Sequence, residues 1–132
     1  MRKAVASAVN NCTLEVATAV VGGAWKLTIV KHVLASTRRF GELGRLMPGI
    51  TPRMLTRQLR ELEADGVIVR TVYAQVPPKV EYSPSELGRS LAPLVADLEK
   101  WGTMYSGSLP HQPQEPGSPL NGPTTRDVIQ PP

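Results

Sequence analysis

The stretch PGITPRMLTRQLRELEADGVIVRTVY, from Pro48 to Tyr73, limits the fold more than any other part of the chain. It sets a glycine turn, a capped amphipathic helix and a β-branched run end to end. Thr51 is placed to cap the helix, and Pro52 suits its first position, where a missing N–H has no partner to lose. Gly66 ends the helix, because glycine takes the left-handed conformation that stops one. With Leu55 set at zero and about 100° per residue, Leu59 lies at about 40° and Leu62 at about 340°. On the same wheel Arg53, Arg57 and Arg60 lie at about 160°, 200° and 140°. Leucines and arginines therefore occupy opposite faces. The acids Glu61, Glu63 and Asp65 are confined to the C-terminal half of the helix. From Arg38 to Arg60 six arginines meet one acid, Glu42.

The flanking segments give an order of elements. CTLEVATAVVGG reads as a short helix stopped at Gly22-Gly23. AWKLTIVKHVLAS follows as a buried helix, with Leu27, Val30 and Leu34 recurring at helical spacing and Ile29 and Val33 widening the face. RRFGELGRLM repeats the pattern at Phe40, Leu43 and Met47. VIVRTVY alternates and is rich in β-branched residues, so it reads as a strand, with KVEYS as its hairpin partner and AQVPP as the tip. SPSELGRSLAPLVADLEKWG reads as one further helix, opened by an S-x-x-E capping box of Ser83 and Glu86 with Pro84 at the first position. The expected fold is mainly α with a small β-hairpin (α+β), a winged helix-turn-helix with extra N- and C-terminal helices. Residues 1–11 are expected to be a flexible N-terminus, residues 12–107 the folded domain, and residues 108–132 a proline-rich disordered or extended tail.

Composition narrows the partners. The chain carries a net charge of +4, and residues 108–132 hold Arg126 against Glu115 and Asp127, or 1 − 2 = −1. The folded part therefore holds about +5, which admits nucleic acid, acidic protein or a membrane surface as partner. No segment approaches the roughly 18 apolar residues of a membrane span, and no membrane partner is expected. One cysteine, Cys12, excludes an internal disulfide framework and fits a reducing compartment.

An arginine face can be a solvated charged surface and nothing more. Its context points further. Two short helices joined by a tight turn make a helix-turn-helix, whose second helix fits a DNA major groove about 12 Å wide. Arg53, Thr56, Arg57 and Arg60 would then face base edges or phosphates, with Thr51 and Pro52 at the helix start. Arg38 and Arg39 would contact phosphate, and Lys79 of the hairpin would reach the backbone or the minor groove. The alternative is a winged-helix interaction module that binds an acidic protein through the same face.

The segments VVGGAWKLTIV, RRFGELGRLMPGITPRMLTRQLRELEADGVIVRTVY, VPPKVEYSPSELGRSL and the WG at Trp101 occur in one order and spacing. In these the chain resembles the HxlR-type winged-helix transcriptional regulators of bacteria, from Cys12 to about Gly102. It departs from them at Ala24, usually basic, at Thr13, commonly proline, and at Ser36-Thr37, usually Gly-Pro. The resemblance implies a cytoplasmic homodimer that binds operator DNA through two winged helices, read here as a repressor, with the terminal helices forming the dimer contact.

Leu87, Leu91, Leu94, Leu98 and Trp101 recur at intervals of four, three, four and three. Such a stripe packs on its own domain or meets a second subunit, and the second reading makes Leu91, Leu94, Leu98 and Trp101 the dimer contact. Cys12 reads either as a small buried apolar residue or as a sensor thiol open to redox, electrophile or other small-molecule effectors. His32 and His111 have no companions that would make a metal site, and no nucleophile-base pair or phosphate-cradling loop is evident. Neither an enzyme nor a cofactor is expected.

Overall fold

The computed structural model describes residues 1–110. The expected proline-rich tail lies outside them from residue 111 onward. The chain divides into a compact unit Met1–Leu98 and a second unit that begins at Glu99. The first unit therefore takes in the residues before Cys12 and ends short of residue 107.

Among the described residues, seven helices and two strands follow in order: α1 (Lys3–Ala8), α2 (Thr13–Val21), α3 (Lys26–Ala35), α4 (Phe40–Leu46), α5 (Pro52–Ala64), β1 (Ile68–Tyr73), β2 (Lys79–Pro84), α6 (Glu86–Arg89) and α7 (Ala92–Ser108). The flexible N-terminus expected over residues 1–11 is instead a helical segment that buries Val5 and Ala8. Its anchor is Arg2, which bonds the Asp65 carboxylate at the end of α5. Between α2 and α3 the chain turns by 72°. Among the described residues no single helix is long and apolar enough to cross a membrane.

The core forms where the apolar faces of α3, α4 and α5 meet the hairpin. Ile29, Val30, Val33, Leu43, Met47, Leu55, Leu59, Leu62, Val67 and Ile68 are all buried in one cluster. The turn between α4 and α5 runs through Gly49 at φ 98°, a backbone conformation that a side chain would strain. β1 and β2 pair antiparallel, from Ile68 opposite Pro84 to Tyr73 opposite Lys79. The free edge of β2 is closed at one point by Arg38, whose N–H donates to Tyr82 O (2.9 Å) and whose carbonyl accepts from Tyr82 N (2.7 Å). This is a winged helix-turn-helix.

The single long helix expected after the hairpin differs in two ways. Ser83 and Pro84 belong to β2, and the helix cap is Ser85, whose Oγ accepts from Gly88 N (2.9 Å) and lies within bonding distance of the Val67 carbonyl (2.9 Å). The helix also breaks between Arg89 and Ala92. Pro93 has no N–H to offer the Arg89 carbonyl, so the ladder is interrupted there. Leu87 thus sits on α6, apart from the other members of the leucine stripe.

Gly88 is buried where α6 crosses the chain after α5, and a Cβ at this position would run into the Val67 carbonyl oxygen. Backbone cannot move aside as a flexible side chain can. Gly88→Ala is expected to lower unfolding stability by about 2 kcal/mol, read from the urea midpoint, and an unchanged midpoint would refute the close approach.

In the second unit, Trp101 stacks on Tyr105, with ring centroids 5.3 Å apart and an interplanar angle of 16°. Both rings are exposed.

Candidate nucleic-acid interface

The site is built on α5. Thr51 Oγ accepts from Met54 N (3.1 Å), and Pro52 follows at the helix start, as the local sequence requires. Leu55, Leu59 and Leu62 are fully buried and hold the helix against the core. That fixes the opposite face outward. Arg53, Arg57 and Arg60 are exposed, Thr56 is half-buried beside them, and these four with Glu61 line an open groove of about 640 Å³.

The three arginines differ in their freedom. Arg57 Nε lies 3.3 Å from Glu61 Oε2, one helical turn on, with the arginine side chain 69% exposed. Arg53 and Arg60 have no acidic partner among the described residues. A guanidinium without an internal partner is available to an outside anion at little cost.

Glu61 gathers more than Arg57. Lys26 Nζ lies 2.7 Å from its Oε1, and Arg2 Nη1 lies 3.6 Å from the same oxygen. Lys26 is 4% exposed. The hydrogen bond from Lys26 is the largest cause that holds the Glu61 carboxyl below its ordinary value of 4.5. Burial opposes it, and the charge of Lys26, the Arg57 hydrogen bond and the charge of Arg2 add to it. Arg2 also donates from its backbone N to Asp65 Oδ1 and from Nε to Asp65 Oδ2, both at 2.7 Å. The first residues of the chain are thereby tied to the last turn of α5. Sequence reading missed Lys26, although a signal exists. Lys26, Ile29, Val30 and Val33 follow the spacing of one buried stripe, so a lysine there needs an acid.

The remaining candidates lie around this face. Arg38 is half-buried; its Nε donates to the His32 carbonyl (3.0 Å), and its backbone bridges to Tyr82. It therefore fastens the wing to the helices. His32 is held below its ordinary 6.5 by burial first, then by the charges of Arg38 and Lys31. Arg39 precedes α4 with its side chain exposed, and its N–H donates to Glu42 Oε1 (2.7 Å). Lys79 starts β2, with Nζ 3.3 Å from Glu81 Oε2 and 4.9 Å above the Tyr73 ring. Cys12 is exposed just before α2, which removes the buried apolar reading of it. Leu91 is partly buried against the core, whereas Leu94 and Leu98 are exposed.

Residues 20–109 match the HxlR-like helix-turn-helix family. The chain belongs to this family. As an HxlR-like protein it is a helix-turn-helix transcriptional regulator. It is 53% identical over 91 residues to the uncharacterized HTH-type transcriptional regulator YybR of Bacillus subtilis (strain 168), covering 69% of this chain and 73% of that one. It is 56% identical over 95 residues to the uncharacterized HTH-type transcriptional regulator YtcD of the same organism, covering 72% and 75%. Among solved structures it is similar to the redox regulator HypR in its oxidized form, with a TM-score of 0.68 and 52% identity, over 70% of this chain and 96% of that one. Cys12 lies before the segment that the HxlR-like family match covers.

Proposed function

We propose that the chain is a homodimeric, cytoplasmic repressor that holds operator DNA against two copies of α5. One observation carries this reading. Arg53 and Arg60 stand exposed, with no acidic partner among the described residues, on the face opposite a buried leucine row. Guanidinium groups so placed can fork onto guanine edges or grip phosphates, and Thr56 lies between them within the same groove. The start of α5 at Thr51 and Pro52 offers amide hydrogens to a phosphate. Arg39 and the free end of the Arg38 guanidinium contact flanking phosphates. Lys79 of the wing exchanges Glu81 for the DNA backbone.

The dimer contact in this reading is Leu91, Leu94, Leu98 and Trp101. The exposure of Leu94, Leu98 and Trp101 supports it, since large apolar side chains left in water favour a partner. A two-fold dimer presents its two reading helices about 34 Å apart. Cys12 is the redox sensor of this proposal, supported by its exposure and by the likeness to HypR, a redox regulator. With one cysteine per chain, an oxidant such as diamide would join it to the same thiol of a second subunit or to a small thiol.

Fluorescence anisotropy on DNA taken from upstream of the protein's own gene tests the reading. Saturable binding that prefers this fragment over random DNA, and weakens steeply with salt, is expected. Equal affinity for random DNA and for an acidic polypeptide would replace it with the acidic-partner reading. Diamide is expected to change operator affinity in the native chain and leave Cys12→Ser unaffected. Equal responses in the two would remove Cys12 from the mechanism.

A further inference from the structure

We propose that the cleft between α5 and the wing binds a small organic monoanion with a flat apolar body, and that its occupant competes with DNA. The cleft measures about 340 Å³, within the range of small-molecule sites and far larger than one phosphate needs. Its charged lining is Arg60 from α5, Arg70 from β1 and Glu63 from α5. Two positive groups and one negative leave 2 − 1 = +1 facing the space, which one carboxylate neutralises. None of the three forms an ion pair with another described residue, so the charge is not already balanced among the described residues.

Arg70 stands where the strand pattern does not call for it. It shares the face of buried Ile68 two residues earlier and pairs directly with Tyr82. Tyr82 is 8% exposed, yet its hydroxyl has no hydrogen-bond partner among the described residues. A buried phenol ordinarily finds one. A carboxylate held by the Arg70 guanidinium would accept that hydrogen bond. Phe40 and Leu59 supply the apolar wall for the body of the ligand.

The cleft also shares Thr56 and Arg60 with the groove proposed to meet DNA. An occupant that engages Arg60 withdraws it from a phosphate, so ligand and operator exclude each other. That competition rests on the DNA-binding reading, whereas the binding itself does not.

Benzoate on the full chain, matched against equimolar chloride, is the probe. At about 10 mM and a dissociation constant of about 1 mM, it favours the folded state about 11-fold, visible as a rise in Tm that chloride does not produce. Arg70→Met and Tyr82→Phe, each compared with its own ligand-free melt, are both expected to lose most of that rise. Arg70 is exposed and phenylalanine keeps the Tyr82 ring, so both variants are expected to fold. Equal shifts from benzoate and chloride overturn the site, as does a full shift in both variants. In a second arm, benzoate is expected to release operator from the native chain and not from Arg70→Met. Binding without release keeps the site and refutes the competition at Arg60. An Arg70→Met chain that loses operator affinity, with no benzoate shift in the native chain, makes Arg70 a DNA contact and overturns the ligand site.

Discussion

Glu61→Gln is expected to lower the stability of the fold by about 3 kcal/mol, more than a hundredfold in the folding equilibrium. The cause is Lys26. Its ammonium is 2.7 Å from the Glu61 carboxylate and its side chain is 5% exposed, so glutamine leaves a buried charge with no counter-charge. Glu61 is itself 23% exposed, which lets water offset part of the loss. Lys26→Met alone is expected to lose only about 1 kcal/mol, because Glu61 keeps Arg57 and Arg2 and its own partial hydration. The double variant Lys26→Met with Glu61→Gln is expected to recover most of the loss, since no unpaired ion remains. Urea denaturation of the four proteins reads this cycle, and a Glu61→Gln chain as stable as the native one would show that Lys26 does not depend on the carboxylate.

The same network sets an acid limb. Glu61 is depressed below 4.5 in the fold, so its contribution is complete above 4.5 and is lost as pH falls through the lowered value. The native chain therefore loses stability more steeply than Glu61→Gln below that point. His32 acts in a different window. It is lowered from 6.5, so the fold is favoured fully above 6.5 and less as pH falls below it. That upper limb is expected to be common to both proteins and serves as the internal reference.

The second large effect concerns DNA. Replacing Arg53 and Arg60 together with alanine is expected to weaken operator binding about 100-fold, at about 1.4 kcal/mol for each arginine. If both meet phosphates, the slope of log K against log salt flattens by about 1.8. Arg57→Ala is expected to lose less, about fivefold, because Arg57 must leave Glu61 before it can meet DNA. Anisotropy titrations across a salt series measure both variants. An Arg57→Ala loss larger than that of the double variant would contradict this ranking.

The parts that sequence reading captured share one property: they are written in neighbouring residues. The leucine face of α5, the Thr51 cap with Pro52, the glycine turn at Gly49 and the alternation of the hairpin each depend on contacts within a turn or a strand pair. The cap of the helix after the wing was misplaced by two residues, because Ser83 and Ser85 offer the same hydroxyl. Pairing of Ser83 opposite Val69 in the hairpin decided between them. Residues 1–11 are too short a segment to hold a helix alone. They fold because Arg2 finds Asp65, 63 residues away.

The sequence by itself determined which helix carries the arginine face and which elements flank it, since periodicity, caps and turns are local consequences of covalent geometry. Only the tertiary structure decided how free each arginine is. Arg57 is drawn to a carboxylate already shared with Lys26 and Arg2, and Arg60 borders a cleft with Arg70 across the wing. Arg57 and Glu61 are a turn apart on α5, but Lys26 and Arg2 reach that carboxylate from far along the chain. Such long-range contacts arise only when burial of the core brings α3, α5 and the hairpin together, and electrostatic pairing then follows distance in space, where sequence spacing has no say.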